Sequence, residues 1–185
     1  MGEPKLFLPV GKTTLLRGAV SSAMDLGHPV VVVTGAYDKD IREHLKDWAG
    51  LTLVHNPDWA NGMTSSISAG VQAATTFKPD FFFITLADQP SMMAESLAFL
   101  VDELFRNEDK VIATEYPERM GVPAIFPARL TADLLGLNGK FGARHLIKRE
   151  RDLDNVVGIR FHQPPEDIDT PEDYARWLKK TVPDQ

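Results

Sequence analysis

Four consecutive β-branched residues, Val30-Val31-Val32-Val33, and the run Phe81-Phe82-Phe83-Ile84-Thr85-Leu86 constrain this chain most. A strand with one wet face alternates apolar and polar residues. These two runs offer no polar face, so any sheet they join must be covered on both sides. The segments around them carry helical spacing. Residues 14–26 place Leu16, Ala19, Val20 and Ala23 on one face, with Gly27 as a stop, and residues 91–105 do the same with Leu97, Leu100, Val101 and Leu104. Further helices are predicted over 38–48, 65–77, 130–135, 142–149 and 171–180, the last capped by Thr170. Further strands are predicted over 51–55, 110–115, 123–126 and 156–161. Strand and helix in alternation predict a three-layer, doubly wound α/β fold with a mostly parallel sheet. Ligands of such sheets bind beyond the carboxyl ends of the strands.

The 185 residues suffice for one domain with a real core, and no internal repeat or linker divides them. The absence of cysteine excludes a disulfide scaffold, thiolate zinc sites and cysteine nucleophiles, and fits a reducing cytoplasm. A net charge of -6 with no basic block speaks against nucleic-acid binding. No apolar run reaches the length of a membrane span, and Met1-Gly2-Glu3-Pro4-Lys5 lacks the apolar core of a signal peptide.

Gly11-Lys12-Thr13-Thr14 looks like the tail of a phosphate-binding P-loop, but the position of its first glycine is Leu6. The segment therefore reads as a turn and a helix start, with Thr13 or Thr14 as the cap. Three other segments lie where chemistry is expected. Asp88, directly after the strongest strand, either holds a divalent metal or caps the following helix, which Pro90 would help to start. The loop from Asn56 through Gly62, Met63, Ser65 and Ser66 opens a helix with hydroxyls and free N–H groups; it either receives polar or anionic ligand groups or is a capping loop. In the segment Asp167-Ile168-Asp169-Thr170-Pro171-Glu172-Asp173, the first and third carboxylates share a face if the chain is extended, so Asp169 could complete a metal site with Asp88. The same residues also make a good helix start. The five histidines are scattered, with no metal-ligand spacing.

In order along the chain, these segments resemble the MobA-like nucleotidyltransferases, and within them the molybdenum cofactor cytidylyltransferases. Met1-Gly2-Glu3-Pro4-Lys5-Leu6 resembles the end of that family's opening signature. Asn56-Pro57-Asp58-Trp59 through Ser66 resembles its base-binding segment, Leu86-Ala87-Asp88-Gln89-Pro90 its metal motif, Gly121-Val122-Pro123 its Gly-Val-Pro strand, and Asp167 to Asp173 its C-terminal metal motif. The resemblance implies a Rossmann-like nucleotide-diphospho-sugar transferase fold. It implies a Mg²⁺-dependent transfer of CMP from CTP to a molybdopterin-type substrate, with pyrophosphate leaving. Lys5 would then act on the nucleotide phosphates, Asp88 and Asp169 would hold Mg²⁺, and Asn56, Gly62, Met63, Ser65 and Ser66 would line the nucleotide. A molybdoenzyme or an insertion chaperone would be the protein partner.

Two departures stand out. The family's opening strand and its Ala-Ala-Gly-x-Ser-x-Arg loop are absent, so the expected domain over residues 1–185 is N-terminally incomplete. Gly139-Lys140-Phe141-Gly142-Ala143-Arg144 resembles the family's Gly-Asp-x-Gly-Ala-Arg, with Lys140 in place of the acid. The alternatives are the same reaction on another phosphorylated acceptor, or a non-catalytic protein that binds the cofactor.

Overall fold

A computed structural model describes residues 4–139 and 142–181. Lys140 and the first three residues of the opening signature lie outside this range. Gly11, at φ +59°, turns the chain between two short antiparallel strands, β1 (Pro9–Val10) and β2 (Thr13–Thr14). Lys12 is an exposed residue of that turn. The Thr14 hydroxyl accepts from the Arg17 N–H at 3.3 Å and opens α1 (Leu15–Met24). Then follow β3 (Val30–Thr34), α2 (Asp38–His44), β4 (Leu51–His55), α3 (Met63–Ala74), β5 (Phe81–Ile84) and α4 (Ala94–Arg106). The chain ends with β6 (Val111–Tyr116), β7 (Arg119–Pro127), α5 (Thr131–Leu135), α6 (Arg144–Asp152), β8 (Val156–Ile159) and α7 (Pro171–Thr181).

Strand pairing falls into two main groups. β3 and β4 run parallel, with Val30 opposite Leu51 and Thr34 opposite His55. The other group has the order β5-β7-β6-β8. In it β5, β6 and β8 share one direction, and β7 runs against both of its neighbours. β6 and β7 form a hairpin through a turn at residues 117–118, with an irregularity between Ala113 and Thr114. The antiparallel β7 is longer than the segment 123–126 suggests.

Strand alternation assigns the core residues to layers. Val111, Ala113, Ala124 and Phe126 face α3, α5 and α6, while Ile112 and Ile125 face α4. Phe82 and Phe83 divide in the same way. On the α4 side, α1 and α2 cover β3 and β4 through Leu16, Val20, Ile41 and Leu45. The result is the expected three layers.

Val30 to Val33, expected to be fully buried, are only half-buried. β3 is paired on one edge by β4, and β5 by β7; the two do not pair with each other, and no strand lies between them among the described residues. Helices span the two groups instead: α3 packs on both β3 and β5, and α1 on both β3 and α4. The contact is close at Gly70, where a Cβ would stand 2.9 Å from a Val33 methyl.

Backbone groups on an open strand edge lack the partners that slow their exchange. Amide hydrogen exchange should therefore be slowest in β7 and clearly faster in β3. Equal protection of β3 and β7 would show that the outer edge of β3 is covered.

Candidate active site

The carboxyl ends of the strands gather the charged residues. Leu6 and Phe7 pack beside α1 and α2, and this fixes the short 3₁₀ turn Lys5–Phe7 against the body of the protein. Past β5, a turn at residues 87–88 presents Asp88. The C-terminal segment meets it there: Ile168 is 1% exposed, and its N–H donates to the Asp88 carbonyl at 2.9 Å. Asp169 follows directly. Thr170 and Asp173 then cap α7 reciprocally: the Asp173 N–H donates to the Thr170 hydroxyl at 3.1 Å, and the Thr170 N–H to the Asp173 carboxylate at 2.9 Å.

This framework brings Lys5, Asp88 and Asp169 together. Lys5 Nζ donates to Asp88 Oδ2 and to Asp169 Oδ1, each at 2.7 Å. The two carboxylate oxygens are therefore no further apart than twice that distance. Asp88 does not cap the next helix, which begins six residues later at Ala94 with Met93 before it. Burial alone would push the Lys5 ammonium down, but hydrogen bonds to Asp169 and Asp88, with their negative charge, hold it above its ordinary value. A raised lysine value contributes stability that is fully present below the unfolded value near 10.5 and lost as pH rises through the folded one, so the contact holds across the neutral range.

Asp88 Oδ1 is buried and has no hydrogen-bond partner. A buried carboxylate oxygen left without a donor is suited to a cation. Among the described residues, no group of three or more His, Asp or Glu side chains could hold a metal unaided. Two carboxylates this close suit Mg²⁺ or Mn²⁺, which are commonly held by one or two carboxylates and the phosphates of a substrate.

The segment from Asn56 to Ser66 is ordered by its own hydrogen bonds. Asn56 is 2% exposed. Its Nδ2 donates to Ser65 Oγ at 2.9 Å and Ser66 Oγ at 3.0 Å, and its Oδ1 accepts from the Asp58 N–H at 3.0 Å. The Ser65 hydroxyl in turn lies 2.9 Å from the Asp58 carbonyl and 2.8 Å from the Gly62 carbonyl, either of which can take its one proton. Gly62, at φ +105°, makes a turn open only to glycine before α3. These residues brace the loop; the exposed Met63 projects from it into a neighbouring cleft.

Sequence reasoning missed most of that cleft. It measures about 80 Å³ and is lined by Met63, Gln89, Tyr116, Arg119, Arg144 and Asp167 among others. Gln89 directly follows Asp88, and a buried amide at a strand's carboxyl end was the available signal. Tyr116 and Arg119 flank a hairpin turn that carries no glycine and was not read as one.

Residues 1–155 match the MobA-like NTP transferase domain. The chain belongs to that family. MobA-like transferases are nucleotidyltransferases, a chemistry to which the lysine and carboxylates gathered around Asp88 are suited. The molybdenum cofactor cytidylyltransferase of Escherichia coli (strain K12) is 30% identical over 92 residues, covering 50% of this chain and 46% of that protein, so the matched stretch spans less than half of the relative's length. The nicotine blue oxidoreductase of Paenarthrobacter nicotinovorans is 28% identical over 95% of this chain and 88% of its own. Among solved structures, Rv0371c of Mycobacterium tuberculosis superposes with a TM-score of 0.80 at 23% identity, covering 96% of this chain and 90% of its own. The same mycobacterial protein is also known in complex with manganese, with a TM-score of 0.71 at 20% identity and coverage of 96% and 92%. No helix among the described residues is long and apolar enough to cross a membrane.

Asn56→Ala in this MobA-like domain would leave two serine hydroxyls and the Asp58 N–H without their shared partner. Urea unfolding should show a loss of about 1–3 kcal/mol. An unchanged midpoint would show that Asn56 does not brace the loop.

Proposed function

We propose that this protein is a divalent-metal-dependent cytidylyltransferase that joins CMP from CTP to a molybdopterin-type acceptor and releases pyrophosphate. The convergence of Lys5, Asp88 and Asp169 on one point supports this reading most directly. Phosphoryl-group transfer asks little covalent chemistry of a protein; it asks for positioning and charge neutralisation. Asp88 and Asp169 would hold Mg²⁺ or Mn²⁺, which supplies Lewis-acid charge neutralisation on the phosphates. The manganese bound by the mycobacterial neighbour is consistent with this choice.

Lys5 has a distinct role. Without nucleotide its ammonium bridges both carboxylates and offsets one of their two charges; with nucleotide bound it is free to turn toward the phosphate oxygens, where negative charge grows as pyrophosphate leaves. Gly62 and the N-terminus of α3 present backbone N–H groups to the nucleotide, with Asn56, Ser65 and Ser66 holding that loop in shape and Met63 against the bound ligands. The reaction fits a cytoplasmic protein, and a molybdoenzyme or its insertion chaperone would take the product. The oxidoreductase relative aligns over more of the chain, but the clustered ammonium and carboxylates favour phosphate chemistry here.

Incubation with CTP, Mg²⁺ and molybdopterin should release pyrophosphate. Asp88→Ala and Asp169→Ala should each lower turnover at least about 100-fold while the melting transition stays close to wild type. No pyrophosphate from any nucleotide, or near-normal turnover in either variant, would refute the assignment. Lys5→Met separates the two roles of the ammonium. Electron paramagnetic resonance should show tighter binding of Mn²⁺ to the nucleotide-free protein, while turnover falls. Weaker Mn²⁺ binding in that variant would contradict competition between Lys5 and the metal.

A further inference from the structure

Helix α7 stands at the outside of the fold. None of residues 171–180 is buried, and its larger side chains, Tyr174, Trp177 and Leu178, are half-buried. Hydrophobic stabilisation scales with the apolar area removed from water, so packing holds this helix weakly and its polar ties count for more. Near its end, Lys180 Nζ donates to Glu166 Oε1 at 2.6 Å. In its first turn, the Tyr174 hydroxyl donates to the Pro9 carbonyl of β1, also at 2.6 Å, across 165 positions of the chain.

The receiving hairpin is held lightly too. β1 and β2 pair only with each other among the described residues, and Pro9 is exposed. His44 of α2 seats its two flanks: the Phe7 ring lies 4.7 Å from the His44 ring, and the Thr14 hydroxyl lies 2.9 Å from His44 Nε2. The tip between them is tied to α7 through Tyr174.

Chain order gives this bond its meaning. Lys5 stands four residues before Pro9, and Asp169 five before Tyr174. The hydroxyl thus closes a second link between the two segments that the Lys5–Asp169 ion pair joins directly. The ion pair is screened, since the Asp169 side chain is 65% exposed, and its partners are the groups that a cation or a phosphate would engage. The Tyr174–Pro9 bond uses neither charge, so it persists when the ion pair opens. Asp169 also has an anchor of its own in Ile168, which is 1% exposed and donates to the Asp88 carbonyl. Lys5 is the more weakly fixed of the two, and it is the one that the tie restrains.

We infer that Tyr174 is a positioning residue for this corner: its hydroxyl holds the segment of Lys5 against the helix that follows Asp169 while ligands part the two charges. The inference rests on the transferase reading for the ligands that open the ion pair; the tie itself does not depend on it.

The experiment titrates Mn²⁺ into the nucleotide-free protein, read by electron paramagnetic resonance, for wild type, Tyr174→Phe, Lys5→Met and the double variant. Tyr174→Phe removes the hydroxyl and keeps the ring. A less firmly held Lys5 competes less with the metal, so this variant should bind Mn²⁺ about threefold more tightly, a factor in keeping with one modest hydrogen bond. In the Lys5→Met background the same substitution should change nothing. Amide exchange at Phe7 and Leu8, whose N–H groups close the turn of Lys5, should quicken in Tyr174→Phe without any metal present. Lys180→Met, which cuts the tie at the end of α7, should leave both readouts as in wild type. An Mn²⁺ affinity that ignores Tyr174, a change of equal size without Lys5, or the same change from Lys180→Met would overturn the inference. Turnover separates it from the reading on which it rests. The expected Mn²⁺ pattern in a protein that releases no pyrophosphate would support the role of Tyr174 and refute the transferase. Pyrophosphate release by a protein whose Mn²⁺ affinity ignores Tyr174 would refute only that role.

Discussion

Apolar anchoring brings one ammonium group and two carboxylates to the corner of the molecule where the chemistry is expected. Lys5 Nζ reaches carboxylates 83 and 164 residues further along the chain. The strength of these ion pairs does not fix the arrangement. The Asp169 side chain is 65% exposed, so its attraction to Lys5 is largely screened, and even Lys5 and Asp88 retain some contact with water. The positions come from apolar neighbours: Leu6 and Phe7 seat the turn that carries Lys5, and Ile168 anchors the segment that carries Asp169. The backbone bond from Ile168 to Asp88 then sets the spacing. Because apolar burial holds the frame, the charges are free to exchange partners without unfolding it.

The same separation governs the whole sheet. β7 has a partner on each edge, and its Ala124, Ile125 and Phe126 are fully buried, which makes it the rigid centre. β3 and β4 join that centre through helices rather than through a strand ladder. Helix contacts depend on side-chain packing, as at Gly70 against Val33, and they tolerate small shifts that a hydrogen-bonded ladder does not. The loop after β4 and the N-terminus of α3 therefore sit on the less constrained half of the molecule, while Asp88, Gln89 and Tyr116 sit on the more constrained half.

The elements most legible in the sequence were those written in apolar spacing or capping chemistry. The strands at 30–34 and 81–84, the face of α4 and the Thr170 cap all follow from patterns within a few residues. So does Thr14, whose hydroxyl caps α1 and leaves Lys12 in a turn. Asp88 and Asp169 were legible as candidates because each stands next to a strand end or a helix start, whereas Lys5 stood out only through the resemblance of the opening segment to a family signature. What the sequence concealed depends on partners far along the chain. Asn56 satisfies hydroxyls from the next helix, a bracing contact that no local pattern announces. Glu150 is 2% exposed because Arg129 and Arg149 reach it, whereas a charged residue near a helix end reads as solvent-facing. The β6–β7 hairpin turns at Pro117-Glu118, without the glycine or asparagine that marks tight turns.

Asp88 and Gln89 show how one turn can feed two separate contacts. They are consecutive, yet Asp88 is committed to Lys5 and Gln89 to Tyr116 and Asp167. The C-terminal segment repeats the division two residues apart, with Asp167 on the amide and Asp169 on the ammonium, while Ile168 between them is buried. An extended backbone places alternate side chains on one face, which is what such a double contact needs. Each of the two segments contributes one group to the Lys5 contact and one to the neighbouring cleft. A shift of either segment would move both contacts together. Each pair also keeps one buried oxygen without a partner, Asp88 Oδ1 and Gln89 Oε1. Leaving two such groups unsatisfied is costly in a protein of marginal stability. Ligands that supply a cation to the first and an N–H to the second would remove that cost, so binding at this corner should stabilise the fold as well as align the reactants.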